Sequence, residues 1–92
     1  MSNSPAPTNY SWIGNTLTFD LAPEVTGVKI KFKKDGASEW TEILNSPGQR
    51  VNHCTLDASI YGPSGTVWGA TEKGGSSGGG WGTPSTENIT NS

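Results

Sequence analysis

The chain has 92 residues, only 30% of them hydrophobic, with 13 Gly and 6 Pro. That length admits one domain, and that composition argues against a helix bundle, a membrane span or a large enzyme core. A formal charge of −2, from 6 Lys and Arg against 8 Asp and Glu, speaks against nucleic acid, whose phosphates demand a basic surface.

Residues 1–9 set Pro5 and Pro7 among Ser, Asn and Ala, too little apolar surface to offset the entropy of ordering, so they read as a flexible N-terminal arm. They show no basic stretch followed by an apolar one, so no signal peptide or membrane anchor is expected and the protein is placed in the cytoplasm. The single cysteine, Cys54, agrees with a reducing compartment and should be a buried free thiol. Asn9-Tyr10-Ser11 and Asn88-Ile89-Thr90 match the glycosylation sequon, but without export they are read as chance matches.

Leu17, Phe19 and Leu21 alternate with Thr18 and Asp20, the period of a strand with one buried face. Pro23 ends it. Val28, Ile30 and Phe32 alternate with Lys29, Lys31 and Lys33, predicting a strand with the apolar trio inward and the lysines outside, where the run Lys29, Lys31, Lys33 and Lys34 reads as a solvated face, with an anion site as the alternative. Asp35-Gly36 supplies a tight turn, so residues 39–44 should return antiparallel. There Trp40 and Leu44 share one face and Ile43 takes the other, unless a bulge near Trp40 lets both sets be used. Trp12 and Trp40 are read as core residues.

Asn45-Ser46-Pro47-Gly48 is a second turn. Residues 49–57 then form a strand with Cys54 and Leu56 inward, and residues 66–71 a short one after the turn at residues 61–65. The Gly-rich stretch at residues 73–82 reads as a flexible loop. No window carries a helical repeat with capping signals. The pattern predicts an all-β protein, a small antiparallel two-sheet β-sandwich of about six strands spanning residues 10–92 as a single domain.

Catalytic chemistry is not evident. His53 and Cys54 are neighbours that a strand points to opposite faces, so they cannot form a nucleophile and base, and the chain is not expected to be an enzyme. One Cys and one His fall short of a zinc site, and no calcium or phosphate loop is recognisable, so no cofactor or metal is expected. The aromatic residues are more telling. Trp68 and Trp81 stand beside glycine in polar segments, where a ring can stack on the C–H face of a sugar and glycine permits close approach. His53, Asp57, Tyr61 and Glu72 come from neighbouring strand ends and complete the candidate ligand-binding set by hydrogen bonding to hydroxyls.

The segments NYSWIGNTLTFDL, KIKFKKDGASEW, GTVWGATEK and GGGWGTP give the chain an overall character that resembles the small fruit-body lectins of mushrooms. That resemblance implies a cytosolic defence lectin, released on tissue damage, that recognises galactose-containing glycans as a multivalent homodimer or higher oligomer. Membranes would then be met only through glycoconjugates. No binding residue is taken from the resemblance. The same strand pattern would also serve a fibronectin-like or immunoglobulin-like module that binds protein rather than sugar, or a membrane-active sandwich with interfacial aromatics.

Overall fold

The structure is a computed structural model and describes residues 4–74 and 80–92. The strands are β1 (Thr8–Ile13), β2 (Thr16–Asp20), β3 (Val25–Lys34), β4 (Thr41–Ser46), β5 (His53–Thr55), β6 (Ser64–Lys73) and β7 (Ser85–Thr90), with one helical turn, α1 (Ala58–Tyr61), before β6. They form two antiparallel sheets, ordered β1-β2-β5 and β4-β3-β6-β7. The chain is thus the small β-sandwich that the alternating pattern predicts.

β3 is an inner strand of the larger sheet, paired with both β4 and β6. Its Val28, Ile30 and Phe32 are buried, as their period requires. Opposite them the smaller sheet contributes Trp12, Leu17, Phe19 and Cys54, and the link after β5 adds Leu56. Trp12 is 1% exposed. Its ring meets Phe32 edge to face with centroids 5.4 Å apart, and its Nε1–H donates to the Leu56 carbonyl at 2.8 Å. The indole therefore fills the space between the sheets without leaving its one donor unpaired.

On β4 the register shifts between Ile30 and Lys31, with Leu44 opposite Ile30 and Glu42 opposite Lys31. The bulge falls at Ile43, so both Ile43 and Leu44 pack against the core. Arg50, in the link from β4 to β5, ties the β2–β3 crossover by donating from Nη1 to the carbonyls of Ala22 at 2.6 Å and Val25 at 3.1 Å. One open side of the sandwich is closed by backbone bonding, Ser92 N–H to the Trp12 carbonyl at 2.9 Å.

Several expectations need correction. Residues 4–7 are not a loose arm: Ser4 and Pro7 are buried, and Thr71 Oγ1 donates to the Pro5 carbonyl and bonds Ser4 Oγ. Local composition is a poor guide here because the segment is ordered by partners on β6. Residues 8–9 already belong to β1. The expected strand over 49–57 shrinks to β5, because Asp57 accepts the Ser59 N–H at 2.9 Å and caps α1. β1 and β7 were not expected at all. In β7 only Ile89 is buried, and one apolar residue in six shows no alternation. Half of the expected flexible loop, residues 75–79, lies outside the described residues, and its first residue, Lys73, is the last of β6.

Two buried acids set the alkaline behaviour of this core. Burial pushes the Cys54 thiol up to about 12. It does the same to the Tyr10 phenol, also to about 12, with the Ser85 side chain opposing and the Glu87 carboxylate adding to the shift. No hydrogen bond of ordinary geometry reaches Tyr10 Oη. Because both folded values lie above the usual 9.0 and 10.0, the unfolded chain releases these protons first and stability falls as pH rises. Urea midpoints should hold steady below pH 9 and decline from there towards pH 12. In Cys54→Ala the decline should begin nearer pH 10, where Tyr10 alone remains.

Candidate functional site

The outward face of the larger sheet brings together residues that sequence separation hides. β3 presents Lys29, Lys31 and Lys33, which pair in register with Ala70, Trp68 and Thr66 of β6. Beyond them Trp68 faces Thr86 and Thr66 faces Asn88 on β7. Because side chains alternate across a strand, these residues share one surface.

Each lysine on this face meets a tryptophan. The ammonium of Lys31 lies 4.6 Å from the centroid of the Trp68 ring, that of Lys29 lies 4.6 Å from Trp81, and that of Lys33 lies 5.1 Å from Trp40. Such distances place the cation in the negative field of the ring. The lysine stems and indoles together roof the sheet, and Ala70 beneath them is buried.

The rings come from separate segments and are held differently. Trp68 is fixed by its place within β6. Trp40 stands just before β4, next to Thr41, which pairs with Phe32. Trp81 is positioned through its neighbour Gly82, whose N–H donates to the Thr71 carbonyl at 2.8 Å. A Cβ at Gly82 would collide with the Ser4 backbone, so the N-terminal segment and the Trp81 segment fit together only with glycine there.

Trp40 is therefore not a core residue. It is 40% exposed, and it turns outward because the register places it beside Lys33 rather than beside Phe32. Its outward parity was obscured by the apolar run that follows it, whose inward turn depends on the bulge at Ile43.

The six residues singled out from sequence do not converge. Trp68 and Trp81 lie on the lysine-bearing face. Glu72 lies on the same face at the end of β6, but its carboxylate fills the space over Gly27 and accepts the Gly48 N–H at 3.0 Å, a structural task. His53 is exposed on β5 in the other sheet, with Nδ1 3.2 Å from Asn52 Oδ1. Asp57 is the cap of α1. Tyr61 packs edge to face on Phe32, centroids 5.9 Å apart. Sequence reasoning put the three lysines on one outward face but missed the rings that lie over them, Trp40 above all, because each ring comes from a different segment.

The face is open: the described residues enclose no pocket. Among them no cluster of His, Cys, Asp and Glu could hold a metal ion, and no helix is long and apolar enough to cross a membrane. The fold and this surface define a small antiparallel β-sandwich whose larger sheet carries half-buried tryptophans and lysines on its outer face, Trp40 being the exposed ring. No protein-family model matches the chain, and no curated protein or solved structure matches it either.

The two classes of tryptophan should separate in stability measurements. Trp12→Ala empties a filled core position and should cost about 3–5 kcal/mol. Trp40→Ala removes a partly exposed ring and one cation–π contact and should cost about 1–2 kcal/mol. Urea unfolding of both variants beside the parent protein checks the ordering.

Proposed function

We propose that this protein is a glycan-binding lectin whose site is the outward face of the β4-β3-β6-β7 sheet. The observation that carries this reading is the assembly of Trp40, Trp68 and Trp81 on one open surface, each beside a lysine. An indole is a flat apolar platform, and a pyranose offers it a flat array of C–H bonds. Galactose suits such a platform because its axial 4-hydroxyl leaves the opposite side of the ring lined with C–H. Thr66, Thr86 and Asn88 border Trp68 and supply hydroxyl and amide groups able to bond sugar hydroxyls.

A shallow, open site binds one sugar weakly, so useful affinity calls for several sites held together. A homodimer or higher oligomer supplies this, and glycoconjugates are its partners. A cytoplasmic store fits a chain whose one cysteine is free and buried. The expected protein-interaction alternative keeps one support. Its strand arrangement, with three strands facing four, is of the immunoglobulin-like type whose members commonly bind protein.

Calorimetric titration with galactose-terminated and mannose-terminated oligosaccharides tests the reading. The parent protein should bind the galactose series. Trp68→Ala and Trp81→Ala should each weaken it by about tenfold or more, about 1.4 kcal/mol per decade, while still unfolding in one cooperative transition, with a stability loss of about 1–2 kcal/mol like that of Trp40→Ala. His53→Ala, on the other sheet, should bind unchanged. If the parent binds neither series, or if His53→Ala alone abolishes binding, the site assignment is wrong.

A further inference from the structure

The face carries charge as well as rings, and the arrangement of that charge narrows the ligand. Lys29, Lys31 and Lys33 occupy successive outward positions of β3. At a rise of about 3.4 Å per residue, neighbouring lysines stand about 7 Å apart along the strand. The row runs along an inner strand, with Trp40 on the β4 side, Trp68 on β6 and Trp81 beyond the Gly-rich segment. Rings and cations thus alternate over a length that suits an extended chain rather than one sugar.

Of the other cations, Lys73 lies at the exposed end of β6 and two are engaged elsewhere. Arg50 is bound to the β2–β3 crossover, and Lys34 Nζ donates to the Ile60 carbonyl at 3.5 Å. Two carboxylates share the face, and neither interrupts the row. Glu72 is held by the Gly48 N–H. Glu42 lies across on β4, opposite Lys31, with its Oε1 accepting from Asn45 at 3.5 Å. A neutral glycan would stack on the rings and leave three ammonium groups unmatched. A glycan bearing acidic groups would match them.

We propose, resting on the glycan-binding reading above, that the ligand is an extended anionic oligosaccharide. Its C–H faces stack on Trp40, Trp68 and Trp81, while its carboxylate or sulfate groups meet Lys29, Lys31 and Lys33. Single-stranded nucleic acid also combines stacking with anionic charge. It is disfavoured because the chain's formal charge is −2, which provides no long-range attraction for a polyphosphate. The hydroxyl and amide border at Thr66, Thr86 and Asn88 also suits sugar better than bases.

Two matched ligand pairs test this in the full chain: oligogalacturonate against its methyl ester, and a sulfated galactan oligosaccharide against its desulfated form. An oligo-dT of similar length serves as the third probe. In low salt the acidic member of at least one pair should bind about tenfold tighter than its neutral partner, the scale of one charge-assisted contact, and the gap should narrow as salt is raised. Lys31→Gln should close much of that gap, read as the ratio of acidic to neutral affinity within the same variant, and the melting temperature reports that the fold survives. Lys29→Gln provides the same reading should Lys31→Gln fail to fold. Equal binding of acidic and neutral members overturns the anionic preference and leaves the glycan reading standing. Binding of neither member of either pair overturns both. Oligo-dT bound more tightly than every glycan assigns the face to nucleic acid and overturns the proposal.

Discussion

The alternation in β3 is the constraint on which the rest of the molecule depends. Its odd and even residues must serve two environments at once, a dry interior and an outer sheet face. Val28, Ile30 and Phe32 are all but fully buried, while Lys29, Lys31 and Lys33 each sit over an indole. A slip of one residue would drive three ammonium groups into the core and turn three apolar side chains to water. With the register so fixed, β4 and β6 can pair only one way, and the positions of Trp68 and Trp40 follow from it. The cations do not merely tolerate the outer face. Their stems and the neighbouring rings cover sheet that would otherwise be wet on that side.

Sequence and structure agree where one strand supplies its own evidence. β2 and β3 carry their alternation within five to ten residues, and the turn at Ser46-Pro47-Gly48 carries its positive φ at Gly48. They diverge where the evidence lies in another segment. The N-terminal residues look unstructured until Thr71 is known to bond them, and β7 looks like a polar tail until β6 is known to pair with it. Trp40 is the sharpest instance: an aromatic beside an apolar run reads as core, and only the bulge two residues into β4 separates the two. The site residues follow the same division. Trp68 and Trp81 could be suspected from their glycine neighbours, whereas His53, Asp57 and Tyr61 were grouped by sequence proximity that the crossing between sheets breaks.

The face gains geometric definition from contacts that have nothing to do with a ligand. Trp81 follows the Gly-rich segment, yet Gly82 is held by the Thr71 carbonyl and pressed against Ser4. Thr71 in turn is bound by the N-terminal segment. On the same inner side of β6, two residues before Thr71, Gly69 leaves room for the Tyr10 hydroxyl and Pro7, which a Cβ would strike. The N-terminal segment thus packs against the inner side of β6 and anchors the residue next to a ring on its outer side. A rigid platform matters for an open site, because stacking on a ring that must first be ordered loses part of its energy to that ordering.

This arrangement also explains why three rings can lie on the surface of so small a domain without making it an apolar patch. Each indole shares its surroundings with an ammonium group, so the surface is apolar in outline and charged at regular intervals. Water is displaced easily from apolar ring faces and held by cations, and it is on this contrast that the proposed ligand, presenting both kinds of group, rests. A purely apolar partner would have to strip the lysines of water without return, and a purely ionic one would leave the rings uncovered. The proposed selectivity of the face therefore resides in the alternation itself, and that alternation is the outer half of the period that builds the core.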